Sequence, residues 1–448
     1  MKTTALYVAA AFATLVLVPA ALNQPLLVLA IVGVFGAVVL RRRPTAALVV
    51  WLASLLFVPA WIGVDLGGIV PPATLAAVML LPALIRARRS VKVHPLDVVI
   101  TVAFALLFAA MLFAGAPGSS VRGTLMTLIP AYVVLRVLSA EIGIERAGRV
   151  FAVMATITAG WSIAEFLTGI HPFETLASTA NWNDIQIRGG LARSEGALGH
   201  SIVMGGVLAS AVPFALTMRA RVGWKLAATA LLLVGTLVTF SRGAIIAALL
   251  GLVLTLVLSP GRNLSALARG TITIGLLTLA VFVAPQVLSV FDASEAETSA
   301  SSLYRENVLA VFANDVSVFG LGRGIAQDQT GLVYQGFNSI DNAYVLWLLQ
   351  YGWIPTVLIF AASIMVAVGS FGWRSGAAGV SLIGLLVLAS TVALILQLGP
   401  ILFAVTALGV TAYAGGRRQL NNRPQATAAA RQMPAITSPT GFTATPAD

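Results

Sequence analysis

The sequence predicts an all-α polytopic membrane protein with about fourteen transmembrane helices. Of the 448 residues, 58% are hydrophobic and only 10% are charged, too little polar surface to cover a soluble globule. Apolar runs follow one another nearly end to end, and a hydrocarbon core of about 30 Å takes roughly 20 such residues per helix. Basic residues gather in alternate connections between those runs, as expected when Lys and Arg are retained on the cytoplasmic side.

In chain order the expected spans are residues 5–22, 25–40, 45–62, 70–85, 96–114, 122–138, 147–168, 199–217, 222–239, 242–258, 270–289, 342–368, 377–396 and 398–414. The first follows Lys2 and has the length of a signal peptide. No Ala-x-Ala-like cleavage site with a soluble domain follows it, so it reads as a retained helix. Inside connections are marked by Arg41 to Arg43, by Arg86, Arg88, Arg89 and Lys92, by Arg146 and Arg149, by Arg219, Arg221 and Lys225, by Arg262 and Arg269, by Arg374, and by Arg417 and Arg418. Both termini are therefore expected in the cytoplasm. The few lysines and abundant Ala, Gly, Val and Arg suggest a GC-rich bacterial genome, hence a bacterial plasma membrane.

The net charge of +11 reads as orientation and contact with anionic lipid in the bilayer, and gives no support to nucleic-acid binding. Cysteine is absent, which excludes disulfides and thiolate metal sites. Residues 415–448, rich in Ala, Thr, Pro and Gln, have little to bury and are expected to form a disordered cytoplasmic tail.

Once the inside clusters are assigned, Arg122, Arg188, Arg193, Arg242, Arg305 and Arg323 are left on the outer side. Two outer connections are long enough to hold structure: a shorter one, 169–198, and a long loop, 291–341. The shorter one carries Arg188, Arg193 and Glu195 and leads to His200 at the mouth of the next span. Arg193 and Glu195 can pair at a wet surface for at most about 1 kcal/mol, and His200 can simply cap the helix entry. Thr239-Phe240-Ser241-Arg242-Gly243 joins two apolar runs almost without a loop. An arginine there faces a polar interior, snorkels, or costs a few kcal/mol against lipid.

In the long loop, Leu303, Val308, Val311 and Phe312 recur loosely at helical spacing after serines suited to an N-cap, which predicts a short amphipathic helix with Arg305 on its first turn. Gly320, Gly322 and Gly324 then bracket Leu321 and Arg323 in a turn that permits positive φ and close backbone approach. Asp341-Asn342-Ala343-Tyr344 opens the following span, with Asp341 either an ordinary helix cap or a carboxylate at the lip of the bilayer.

Taken in order, Ser241-Arg242-Gly243, then Arg305 with Gly320-Leu321-Gly322, then Asn342-Ala343-Tyr344 ahead of Tyr351-Gly352 resemble the O-antigen ligase and polymerase superfamily of bacterial membrane glycosyltransferases. The segment from Arg193 to Gly206, with Glu195, Gly199 and His200, is similar to the one those proteins carry before the corresponding span. The resemblance implies a GT-C-like helical bundle, a transmembrane glycosyltransferase-like domain over 1–414 with its long extracytoplasmic loop. Such a bundle takes a polyprenyl-diphosphate-linked glycan donor and transfers the glycan on the outer face to the hydroxyl of a glycan or lipid-glycan acceptor. It implies no metal, no nucleotide sugar and no other cofactor.

Guanidinium groups match a departing diphosphate, whose oxygens they bind in a bidentate fork. By the resemblance Arg242 and Arg305 are assigned to it, Arg193 and Arg323 are secondary candidates, and Ser241, Asn342 and Tyr344 are further substrate contacts. Many members carry a histidine where this chain has Asp341. A carboxylate can accept the proton of an attacking sugar hydroxyl when burial raises its pKa. Glu195 and His200 are the alternative bases, with Asp341 then positioning the acceptor. Polymerase is preferred over ligation to lipid A, since the composition suggests an organism without lipopolysaccharide. A lipid-linked oligosaccharide flippase or other transporter is the competing class, and it would require charged groups along a central cavity.

Overall fold

A computed structural model describes residues 25–65, 69–113, 118–174, 185–258, 315–328, 331–334, 340–371 and 376–431, together with 270, 275 and 289. Helices dominate: α1 Pro25–Leu40, α2 Pro44–Leu56, α3 Pro72–Met79, α4 Leu81–Ala87, α5 Pro95–Phe113, α6 Gly118–Ile142 and α7 Ile144–Thr168 come first. They are followed by α8 Ser201–Thr217, α9 Val222–Leu237, α10 Arg242–Leu258, α11 Ala343–Tyr351, α12 Trp353–Ser370, α13 Ala377–Ala389 and α14 Leu398–Arg431. Among the described residues strand is confined to three antiparallel two-stranded ribbons, β1 Val64–Asp65 with β2 Ile69–Val70, β3 Ile187–Arg188 with β4 Leu191–Ala192, and β5 Ile325–Asp328 with β6 Gly331–Tyr334.

Among the described residues, four helical stretches are long and apolar enough to cross a membrane, namely Pro95–Phe113, Ile144–Thr168, Trp353–Ser370 and Leu398–Gly415. The other apolar helices are shorter. The seventeen residues of α8 rise about 26 Å, just under a hydrocarbon core of about 30 Å. Outer helices present apolar stripes outward, Ile246, Leu249, Val253 and Val257 on α10 and Ile354, Val357, Ile364 and Val368 on α12. Apolar residues that are exposed at helical spacing and also packed inward suit a lipid environment rather than water.

Two expected spans are corrected. Residues 70–85 form two short helices, because Pro82 stands at the start of α4 and cannot donate a hydrogen bond to the turn before it. Residues 342–368 divide at Gly352, whose φ of +85° ends α11 and starts α12. The run 45–62 ends as helix at Leu56, with Pro59 close behind. The run 377–396 ends at Ala389. In the segment expected as a disordered tail, α14 continues as helix to Arg431. The expected span 5–22, most of 270–289, the amphipathic helix around Arg305, and residues 432–448 lie outside the described residues.

The core is built around α8, where every residue except Ile202 and Thr217 is buried. Small side chains allow this. A Cβ on Gly205 would stand 2.6 Å from that of Ala244 on α10, and one on Gly206 would meet Leu388 and Leu398. The neighbouring helices α7, α9, α10 and α13 all pack on α8.

One end of the bundle is basic. There Arg136, buried on α6, donates from Nε to Asp97 Oδ1 at 2.8 Å, and from Nη2 to Asp97 Oδ2 and to the Lys92 carbonyl, each at 2.9 Å. The Tyr132 hydroxyl donates to the same carboxylate at 2.6 Å. Arg219 bridges to Glu145 and Ser90 bonds Glu141, so the connections that carry Lys92, Glu145 and Arg219 meet at this end. The opposite end holds the residues singled out for chemistry.

Candidate functional site

At that opposite end, β3 and β4 form a tight hairpin turned by Gly189 and Gly190 at φ of +55° and +79°. Two successive positive φ values define a primed turn that glycine adopts without strain. The hairpin brings Gln186 beside Arg193, and the Arg193 N–H donates to the Gln186 carbonyl at 2.9 Å.

Gln186 is the hub of the cluster. Its backbone N–H donates to Glu195 Oε1 at 3.1 Å, and its side-chain oxygen accepts from Arg193 Nη1 at 3.1 Å and from the Ser201 hydroxyl at 2.5 Å. Its side-chain nitrogen lies 2.8 Å from His200 Nε2. His200 Nδ1 in turn accepts from the Ile202 N–H at 3.2 Å and caps α8. A neutral imidazole has only one acceptor nitrogen, so the Gln186 amide and the helix cap compete for this ring.

The hairpin docks on the turn between α9 and α10. Arg193 Nε donates to the Thr239 carbonyl at 2.8 Å, Arg188 Nη1 to the Phe240 carbonyl at 2.9 Å, and the Ser194 N–H to the Val238 carbonyl at 3.4 Å. Guanidinium groups thus satisfy carbonyls that the end of α9 leaves without a helical donor. Phe240 holds a φ of +47°, an uncommon conformation for a bulky residue, of the kind that gathers at functional sites. Immediately after it come buried Ser241 and half-buried Arg242, the first residue of α10.

From α7, the buried Glu165 carboxylate anchors the same segment. Its Oε2 accepts from the Ser194 hydroxyl at 2.7 Å and from the Gly196 and Glu195 N–H groups at 2.8 and 3.3 Å, while Oε1 pairs with His171 at 2.7 Å. Burial pushes the Glu195 carboxyl up to about 7. The Glu165 charge adds to this, and the Gln186 N–H, Arg193 and His171 oppose it. Burial and the Arg193 charge hold the His200 imidazole down at about 4, against the pull of Asp341. His200 is therefore neutral at physiological pH, and Glu195 is poised between its two forms.

Asp341 thus lies near enough for its charge to act on His200. The cap of α11 belongs to its neighbour: Asn342 Oδ1 accepts from the N–H groups of Tyr344 and Val345 at 3.0 and 3.2 Å. The Tyr344 hydroxyl donates to the Leu386 carbonyl at 2.8 Å. Asn342 and Tyr344, expected as substrate contacts, thus spend these polar atoms on the backbone.

The glycine turn approaches protein rather than open space. Gly322 donates to the Leu349 carbonyl at 2.7 Å, and a Cβ there would stand 2.6 Å from the Asp315 carbonyl oxygen. Its role is to fasten residues 315–322 along α11. Arg323 is exposed, and its N–H donates to the Asp315 carbonyl at 2.7 Å. Arg305 lies outside the described residues.

Glu195, His200, Arg193, Ser241, Arg242 and Asp341 are therefore brought to one end of the bundle, and Arg193 is bound into its scaffold. Gln186 and Glu165 were missed from the sequence. The Gly189-Gly190 pair was the available signal for the first, since a two-glycine turn sets Gln186 across from Arg193.

A search among curated proteins finds no match. Residues 227–360 match the family model described as O-antigen ligase. That stretch runs from within α9, through the Ser241-Arg242 turn and Asp341, into α12, and over it the chain is similar to the O-antigen ligase family.

Proposed function

We propose that this protein polymerises or ligates surface polysaccharide on the outer face of the bacterial plasma membrane, from a polyprenyl-diphosphate-linked donor, with polymerisation the preferred reaction. The observation that carries the reading is the meeting, at one end of the bundle, of the Ser241-Arg242 turn from the matched segment with two carboxylates and a neutral imidazole. Sidedness comes from the basic residues. The clusters of Arg219 and Lys92 support a cytoplasmic assignment for the other end.

In this reaction the acceptor hydroxyl oxygen attacks the anomeric carbon of the donor sugar. A new carbon–oxygen bond forms as the bond to the diphosphate oxygen breaks. Polyprenyl diphosphate departs with the bonding electrons, and the arginines stabilise the charge that develops on it. By the resemblance Arg242 and Arg305 are assigned to that role, with Arg193 and Arg323 as secondary candidates. The hydroxyl proton passes to a carboxylate. Asp341 is preferred because it stands where the resemblance places the acceptor-side group, and its charge reaches His200. Glu195 is the alternative base, and its ionisation near neutrality suits the task.

The test is the glycan that accumulates when the gene is deleted. Single repeat units left on their lipid indicate a polymerase, and full-length polymer left on its lipid indicates a ligase. Unchanged surface glycan would remove both. A transporter is distinguished in vesicles, where it would move a labelled lipid-linked glycan across the bilayer without lengthening it.

A further inference from the structure

At the same end lies a cavity of about 580 Å³ whose wall includes neither Arg193 nor Arg242, in the size range of small-molecule sites. It is walled by α2, α6, α11 and residues 393–397, and none of the described residues lining it is charged. Most of the wall is apolar, with the aromatic side chains of Trp51, Trp347 and Tyr351 and the amides of Gln350 and Gln397 among it.

Two of these residues carry buried polar atoms that have no hydrogen-bond partner among the described residues, Trp51 Nε1 and Gln397 Oε1. The two residues are 1% and 3% exposed. A buried indole N–H usually finds an acceptor and a buried amide oxygen a donor, and each left unmet costs free energy. One is a donor and the other an acceptor. A hydroxyl-bearing ligand satisfies both, whereas a hydrocarbon chain satisfies neither and a phosphate would meet no cation among the described residues of this wall.

We infer that this cavity binds a neutral pyranose unit of the acceptor glycan, with the Trp51 indole donating to a sugar oxygen and the Gln397 side-chain oxygen accepting from a sugar hydroxyl. Flat aromatic side chains offer apolar faces to the C–H surface of a sugar ring, and the amides supply orientation. Ile340 belongs to the wall and adjoins Asp341, which sets the bound sugar next to the carboxylate that would take its proton. The assignment to the acceptor rests on the transfer reading above, and the binding of a neutral sugar does not.

The experiment is saturation-transfer NMR on the full-length protein in lipid nanodiscs, with maltose, lactose and methyl glucoside as neutral probes, glucuronate as an acidic one and farnesol as an isoprenoid. At least one neutral saccharide is expected to give a saturable signal. Affinity should fall about tenfold in the Trp51→Phe/Gln397→Leu protein, which removes two hydrogen bonds, and about threefold in each single variant. Arg242→Ala is expected to keep the sugar signal while losing transfer. Neutral-saccharide signals that are absent, or equal in wild type and the double variant, overturn the inference, as does a signal from farnesol alone. If the sugar binds as expected but Arg242→Ala still transfers glycan, the cavity stands and the acceptor assignment falls.

Discussion

Each end of the bundle buries an arginine among polar partners, and the two are built differently. Arg136 meets Asp97 through two parallel N–H to oxygen bonds, with a carbonyl and a tyrosine closing the ring. Arg193, at the far end, directs two bonds to uncharged oxygens, the Thr239 carbonyl and the Gln186 side chain, and its charge also acts on Glu195 and His200. The first arrangement compensates a charge where it stands, and nothing in it is poised to change. The second leaves Glu195 near its ionisation point and holds His200 neutral, which is what proton transfer needs. Hence the basic end should respond to mutation as a fold element and the other end as a reaction centre.

The strongest break of this contrast is Arg136→Ala. It strands the Asp97 carboxylate, and removing one partner of a buried pair costs about 3–5 kcal/mol. The expected result is protein that fails to accumulate or melts far earlier in detergent, and the joint replacement Asp97→Asn/Arg136→Met should recover much of the loss. Normal melting of Arg136→Ala would erase the distinction. Next in size, Arg242→Ala should leave the melting curve in place while lowering glycan transfer by about 100-fold or more, as when a charge-stabilising donor is removed.

Acidity sharpens the comparison further. If Glu195 takes the proton, transfer rises as pH increases through about 7, and Glu195→Gln removes that limb of the profile. Transfer retained in Glu195→Gln and lost in Asp341→Asn assigns the base to Asp341. For stability the sign is opposite. A carboxyl whose folded pKa is raised takes up protons on folding, so its contribution weakens as pH climbs from the ordinary carboxylate range through about 7. Melting of the wild type should therefore fall over that window more than melting of Glu195→Gln. The smallest expected effect is Asn342→Ala, which removes the α11 cap for about 1 kcal/mol, visible as a modest shift in melting with transfer largely kept.

Much of the helical layout was legible in the sequence, because apolar run length is a strong signal. The bounds of 25–40 and 242–258 coincide with α1 and α10. Breaks inside apolar runs were harder to see. Pro82 and Gly352 both interrupt helix without lowering local hydropathy, so the runs 70–85 and 342–368 read as continuous. The Asp97–Arg136 pair lay in two expected spans that run antiparallel, near the ends that meet, yet only the packing of α5, α6 and α14 shows them joined. At the site, Arg242 was found by its cost in a membrane, whereas Glu165, a carboxylate inside an expected span, was missed. Gln186 has no charge, and its importance arises from where a glycine hairpin puts it. Asn342 rather than Asp341 caps α11, a choice between adjacent residues that backbone geometry decides.

Reconstituted transfer tests the central claim most directly. Purified protein in proteoliposomes would be given the lipid-linked repeat unit, and the release of polyprenyl diphosphate would be counted against new glycosidic bonds. The account predicts one diphosphate lipid released per bond formed by the wild type and neither product from Arg242→Ala at an equal level of folded protein. Glycan lengthening that persists in Arg242→Ala, or lipid moved across the bilayer with no bond formed, would contradict it.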